Sequence, residues 1–119
     1  MKENLILEKS YKFAVRIIRL YQFLKKDKNE YELSKQILRS GTSIGSNVEE
    51  AIGGSSRKDF AAKLGIAYRE ARETRFRLRL LHDTDYIEKK LFDSLLNDCE
   101  ELLRIIGSIQ VTLKKNPNS

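Results

Sequence analysis

The sequence predicts an all-α protein, an antiparallel, up-down four-helix bundle formed as a single domain over residues 1–119. Apolar residues recur at helical spacing in four long segments, and short turns separate these segments. Strand-forming residues are sparse, and the one proline, Pro117, lies beyond the last segment, so it interrupts no helix. A chain of 119 residues is long enough to bury one continuous core.

We expect the first helix over about residues 5–26, where two apolar stripes run side by side. The first stripe steps by four and three residues through Leu7, Tyr11, Ala14, Ile18 and Tyr21. The second consists of Phe13, Ile17, Leu20 and Leu24. Together they form a face broader than a two-helix seam requires, so this helix is expected to contact more than one neighbour.

The second helix is predicted over about residues 30–52 and carries two glycines in its middle. Its apolar or small positions at helical spacing are Leu33, Ile37, Ser40, Ile44, Val48 and Ala51. Each glycine within a helix costs roughly 1 kcal/mol relative to alanine. Gly41 and Gly45 share one helix face, so we predict that another helix packs closely against them. The alternative is a kinked or broken helix at this point.

The third helix is predicted over about residues 56–82, after the break at Gly53 and Gly54. Ser55 or Ser56 is the expected N-cap, and Asp59 suits the positive end of the helix dipole. The seam steps by four and three residues without a miss through Phe60, Leu64, Ala67, Ala71, Thr74, Leu78 and Leu81. Such a seam is typical of a helical bundle.

The fourth helix is predicted over about residues 86–114, with Asp85 and Glu88 as its capping signal. Its seam consists of Phe92, Leu95, Cys99, Leu102, Ile106, Ile109 and Leu113. Because Cys99 falls on this seam, we interpret it as a small core residue. Residues 116–119 are expected to be a disordered tail.

Charge and cysteine content narrow the function classes. The 23 Lys and Arg residues against 17 acids give a net charge of +6, which favours polyanionic partners or simply aids solubility. A single cysteine excludes an internal disulfide and any cysteine-based metal cluster. No signal peptide or membrane-length apolar run is evident, so we expect a cytoplasmic protein with no membrane partner.

The third helix carries the clearest candidate binding site. Its members Tyr68, Arg72, Arg75 and Arg79 fall on one stripe, and only Arg79 has an acid, Asp83, within helical reach. By contrast, Arg69 and Arg77 both lie four residues from Glu73, which can neutralise them. Unpaired arginines beside an aromatic ring suit phosphate contact and base stacking. The alternative is an ordinary solvated face, or ion pairs with acids of another helix.

Three further apolar residues of this helix, Ile66, Phe76 and Leu80, point away from the seam. Burying a large apolar side chain stabilises a protein by roughly 1.5–3 kcal/mol, so leaving three in water is unfavourable for a monomer. We therefore predict that they form a subunit interface in a homo-oligomer. The alternative is an asymmetric bundle in which other helices cover them.

Enzymatic chemistry finds little support, and we expect a non-enzymatic protein without cofactor or metal. His82 is the one histidine, so one chain cannot form a multi-histidine metal site, and no nucleotide-binding fingerprint is present. Arg77 and His82 have the Arg-x4-His spacing used by small all-helical ribonucleases. A ribonuclease is therefore a remote alternative.

The order of three motifs resembles a known family. They are Ser43-Ile44-Gly45-Ser46-Asn47-Val48-Glu49-Glu50-Ala51, Ser56-Arg57-Lys58-Asp59-Phe60 and Leu64-Gly65-Ile66-Ala67-Tyr68-Arg69-Glu70-Ala71. The chain is similar to the four helix bundle protein family, which includes proteins encoded in intervening sequences of bacterial 23S ribosomal RNA genes. It also includes the accessory variability determinant of diversity-generating retroelements.

The resemblance implies a bundle that assembles as a ring-like homopentamer. For the retroelement members it further implies a basic surface that binds nucleic acid and a reverse transcriptase. The basic positions that match are Arg57, Lys58, Arg69 and Arg72. We therefore predict an oligomer that binds structured RNA or DNA through the third helix. The alternative is a protein-interaction scaffold, or an accessory subunit of a reverse transcriptase or another protein partner.

Overall fold

Four α-helices make up the fold of the computed structural model, which describes residues 2–116 and the side chains of residues 4–116. They are α1 (Lys2–Lys28), α2 (Glu32–Gly53), α3 (Arg57–Asp83) and α4 (Lys89–Lys115), with no strand in this part of the chain. The domain measures 50 × 22 × 19 Å. The all-α prediction with four long helices is confirmed. No helix among the described residues has the length and apolarity needed to cross a membrane.

The first and last connections both use a residue with left-handed backbone geometry. Asn29 has φ 51° and ends α1, where the N–H of Glu30 donates to the carbonyl of Leu24 at 2.9 Å. Asp85 has φ 68° after α3, and Tyr86 donates to the Leu81 carbonyl at 2.8 Å. Asn and Asp tolerate this geometry better than most residues do.

The predicted start of α4 at residue 86 is wrong. The chain after Asp85 stays non-helical, Ile87 is buried at 4% exposure, and Glu88 takes the N-cap position without a side-chain capping bond. The predicted capping by Asp85 with Glu88 is therefore also wrong, because Asp85 closes the preceding turn. By contrast, the predicted N-cap Ser56 is confirmed, since its hydroxyl accepts the N–H of Asp59 at 3.0 Å.

The core is built mainly from the predicted seams of α2, α3 and α4 and from one of the two stripes of α1. Phe13, Ile17, Leu20 and Leu24 are buried, whereas Tyr11 and Ile18 of the other stripe are 67% and 41% exposed. Ile6 and Ser10 extend the buried stripe instead. The broad apolar face of α1 therefore buries only one side against the rest of the protomer.

The helices follow one another around the core, each packed against the helices before and after it, with α1 also against α4. Lys9 and Arg16 of α1 form ion pairs with Glu101 and Asp98 of α4 at 3.3 Å and 2.7 Å. Thus, as residue numbers rise in α1, they fall in α4.

The middle of α2 is an unbroken helix, so the alternative of a broken helix at its glycines is wrong. A Cβ atom on Gly41 would lie 2.7 Å from Cγ1 and Cγ2 of Ile17, and one on Gly45 would lie 3.3 Å from the Ser10 carbonyl oxygen. Side chains at these positions would push α1 away. The two glycines thus allow α1 to pack closely against α2.

Cys99 is a buried core residue, as predicted. Its thiol donates to the Ala71 carbonyl at 3.3 Å, and burial raises the pKa of the thiol to about 12. The C-terminal end of α4 is capped at Asn116, whose N–H donates to the Thr112 carbonyl. The remainder of the predicted disordered tail, residues 117–119, lies outside the described residues.

Candidate nucleic-acid interface

Helix α3 holds eight Lys or Arg residues and four acidic residues, so it carries an excess of positive charge. Its seam residues occupy the side that faces the core, so the basic side chains are left on the outer side. Arg72 and Arg79 are exposed, and Arg75 and Tyr68 are half-buried towards α4. We call Tyr68, Arg72, Arg75 and Arg79 the arginine stripe.

The guanidinium groups of Arg72, Arg75 and Arg79 make no hydrogen bond or ion pair with any side chain or carbonyl of residues 4–116. Arg77, in contrast, pairs with Glu73 at 3.7 Å, as its spacing predicted. The expected partner of Arg79 is engaged elsewhere, because Asp83 Oδ1 lies 3.1 Å from His82 Nδ1. The stripe therefore faces water with its charge uncompensated by ion pairs in the described structure.

Five arginines line one shallow depression on α3. Its volume is about 430 Å³, and its lining consists of Arg69, Arg72, Glu73, Arg75, Phe76, Arg77 and Arg79. All of these residues belong to a single helix, so the depression is a furrow between side chains and does not enclose a ligand. An extended phosphate backbone fits such a surface better than a small molecule does.

The stripe continues into a cleft between α3 and α4 with a volume of about 470 Å³. Tyr68 and Arg75 line this cleft together with Glu100, Arg104, Gly107 and others of α4. The Tyr68 ring packs over Gly107, where its Cε2 lies 3.6 Å from the position of a Cβ. Reading along α3 missed Arg104, because only the pairing of the helices brings it beside Arg75.

The predicted basic residues at the start of α3 are not part of this surface. Arg57 donates to the carbonyls of Leu113 and Asn116, so its guanidinium caps the C-terminal end of α4. Lys58 is exposed beside it on a separate depression of about 560 Å³. Fifteen residues separate Arg57 from Arg72, which is about 22 Å along a helix.

Two carboxylates on the α2-facing side of α3 interact with each other and not with the stripe. Burial, followed by the hydrogen bond to Glu73, raises the pKa of Glu70 above its usual value. The same hydrogen bond lowers the pKa of Glu73, helped by Arg77 and Arg69. Glu73 lines the depression beside Arg72, Arg75 and Arg79, but its ion pair among the described residues is with Arg77.

The family model of the 23S rRNA-intervening sequence protein matches residues 2–108. The chain belongs to this family. The resemblance predicted from the three motifs is therefore confirmed, and the matched range includes all of α1, α2 and α3 with the arginine stripe.

A solved structure supports the same assignment. It is the crystal structure of a protein of unknown function from the S23 ribosomal protein family of Bacteroides thetaiotaomicron VPI-5482. The two chains are 49% identical, with a TM-score of 0.91 over 92% of this chain and 98% of that one. No curated protein matches the chain.

The residues of the ribonuclease alternative have other partners in this family member. Arg77 pairs with Glu73, and the His82 ring stacks on Phe92 with centroids 4.4 Å apart. Five positions along a helix turn the side chain by about 140° relative to the first, so the two residues point to different sides of α3. Among the described residues, no group of three potential metal ligands lies together.

Proposed function

We propose that this member of the 23S rRNA-intervening sequence protein family is a non-enzymatic, homo-oligomeric bundle that binds nucleic acid through the arginine stripe. The observation that carries the proposal is the set of three guanidinium groups, Arg72, Arg75 and Arg79, that form no ion pair within the described part of the chain. The family name, which refers to ribosomal RNA, makes structured RNA the first ligand to test.

The stripe has the chemistry that phosphate recognition requires. Arginine presents a planar fork of donors that matches phosphate oxygens and remains charged at any physiological pH. From Arg72 to Arg79 the stripe extends about 10 Å along the helix axis, and Tyr68 adds an aromatic ring at one end. Each phosphate that the protein neutralises releases counterions, so binding through the stripe must weaken as salt is added.

The bundle itself is best described as antiparallel and up-down. The α1–α4 ion pairs, the Ile17–Gly41 and Ser10–Gly45 approaches, and the Arg57–Leu113 and His82–Phe92 contacts all join helices that run in opposite directions. Assembly into an oligomer is supported by Phe76, which is 58% exposed. The other two residues of the predicted interface, Ile66 and Leu80, are half-buried.

Binding of a fluorescently labelled RNA hairpin, followed by anisotropy over a range of salt concentrations, tests the proposal. We expect the affinity to fall with salt, and the triple variant Arg72→Ala/Arg75→Ala/Arg79→Ala to reduce the salt slope by about 1 per lost phosphate contact. The matched control is Arg19→Ala/Lys35→Ala/Lys90→Ala, which removes three charges from exposed positions on other helices. Salt-independent binding, or an equal loss in the control, would contradict the proposal.

The exposed apolar side chains favour a second candidate function, a scaffold or accessory subunit for a protein such as a reverse transcriptase. Tyr11, Phe76 and Val111 are each more than half exposed. A partner that still binds the triple arginine variant, but not a Phe76→Ala variant, would favour this candidate over nucleic-acid binding.

A further inference from the structure

The outer side of α1 presents an apolar surface that the protomer does not cover. Leu7, Tyr11, Val15 and Ile18 follow at steps of four, four and three, so they share one helix face. Tyr11, Val15 and Ile18 are 67%, 39% and 41% exposed. We call these four residues the α1 face.

A groove lies at the Leu7 and Tyr11 end of the α1 face, beside Glu49 of α2. Its volume is about 470 Å³, and Leu7 and Tyr11 supply its apolar lining. Asn4, Glu8, Lys12 and Glu49 supply the rest of its lining. Glu8 already pairs with Lys12 at 2.8 Å, whereas Glu49 is exposed and makes no ion pair within residues 4–116. The groove is therefore apolar with one unpaired carboxylate beside it.

The α3 surface around Phe76 has the complementary character. Phe76 is 58% exposed, and Leu80 lies half-buried one helical turn beyond it. Arg72 lies one turn before Phe76, and its guanidinium has no partner among the described residues. Helix α3 thus presents an exposed aromatic ring beside the unpaired positive charge of Arg72. The groove between α1 and α2 presents apolar side chains beside the unpaired negative charge of Glu49.

We propose that Phe76 of one copy packs on the α1 face of a second copy, and that Arg72 of the first copy lies opposite Glu49 of the second. This inference rests on the homo-oligomeric part of the proposed function and names the two surfaces that meet. Burying Phe76 against Tyr11 and Val15 removes large apolar side chains from water, which favours the contact. The opposed charges orient the contact and disfavour the meeting of two Phe76 surfaces, which are both basic.

The two surfaces differ, so the contact is head-to-tail. A head-to-tail contact generates a closed ring when its rotation closes, and an open filament when it does not. Every copy would then carry one contact through α3 and one through α1. Tyr68 and Arg75, the part of the arginine stripe that lines the cleft with α4, stay free beside each contact.

A mixing experiment with two variants tests this arrangement. Phe76→Asp disables the α3 surface, and Val15→Arg/Ile18→Arg disables the α1 face by placing positive charge opposite the arginines. All three positions are exposed, so both variants keep their helical circular dichroism. Each variant alone is expected to be monomeric, because each lacks one of the two surfaces that a contact needs.

A 1:1 mixture is expected to form a dimer of twice the protomer mass and nothing larger. The intact α1 face of one variant accepts the intact Phe76 of the other, and the two remaining surfaces are disabled. Sedimentation velocity up to protein concentrations on the order of 100 µM measures this mass, where standard-sized interfaces are well populated. A mixture that stays monomeric, or a single variant that keeps the wild-type mass, overturns the inference.

The wild-type mass distinguishes a failure of the oligomer from a failure of the contact between Phe76 and the α1 face. A wild-type protein with the mass of one 13.8 kDa protomer would refute the oligomer itself, and with it that part of the proposed function. An oligomeric wild type whose variants do not form the mixed dimer refutes only the pairing of Phe76 with the α1 face.

Discussion

The core-facing side of α3 is satisfied within the protomer, whereas its outer side is not. On the inner side Leu78 is fully buried, and the Thr74 hydroxyl hydrogen-bonds that of Ser40 of α2 at 3.0 Å. On the outer side Phe76 is 58% exposed, and Arg72 and Arg79 have no partner among the described residues. The inner side of α3 therefore stabilises the fold, and its outer side is left available for contacts with other molecules.

The largest expected effect comes from truncating one apolar residue on each side of α3. Leu78→Ala leaves a cavity in the core and should lower the free energy of unfolding by about 2–5 kcal/mol. Phe76→Ala, two residues earlier, should change the unfolding of the isolated protomer by less than about 0.5 kcal/mol, because its side chain is mostly in water. Urea denaturation of dilute protein measures both values. Equal losses for the two variants would show that Phe76 belongs to the core.

A second prediction compares two glycines within helices. Gly41→Ala places a methyl group 2.7 Å from Ile17 and should destabilise the protein by about 1–3 kcal/mol, despite the better helix propensity of alanine. Gly65→Ala meets no atom within 4 Å and should stabilise α3 by about 0.5–1 kcal/mol. Thermal unfolding of the two variants provides the measurement. A stabilising Gly41→Ala would mean that α1 and α2 are not in close contact there.

Most of the fold follows from the sequence for a physical reason. The seams of α2, α3 and α4 repeat at helical spacing because the bundle buries one side of each helix, and Gly41 and Gly45 mark the closest approach. The predicted start of α4 at residue 86 is wrong because Asp85 and Glu88 have side chains that can cap a helix, whereas Asp85 adopts left-handed backbone geometry in the preceding turn. Local sequence does not report which of two such roles a residue takes.

The candidate site was only partly predictable. Spacing along α3 identified the stripe, since charge pairing within a helix can be counted from the sequence. It could not place Arg104 beside Arg75, or Arg57 on the end of α4, because both depend on how α3 and α4 pack. Of the two apolar stripes of α1, the sequence could not tell which is buried, because both have helical spacing.

The smallest expected effect concerns the one acidic pair on the α2-facing side of α3. The pKa of Glu70 is raised mainly by burial and then by Glu73, so above the usual pKa of Glu this carboxyl is protonated more often in the folded protein than in the unfolded chain. The contribution of Glu70 to stability therefore falls as pH rises through that range, and its ionised form is unfavourable at neutral pH. Glu70→Gln removes that cost and can donate a hydrogen bond to Glu73.

We accordingly expect Glu70→Gln to be slightly more stable than the wild type at pH 7, by up to about 0.5 kcal/mol, with the advantage lost at pH 4. Urea denaturation at both pH values measures the difference, and Glu50→Gln on the exposed side of α2 is the matched control. A gain that is independent of pH, or that the control shares, would mean that the Glu70 carboxyl is as well solvated as an ordinary surface acid. The contrast between the two sides of α3 would then reduce to apolar burial and the unpaired arginines alone.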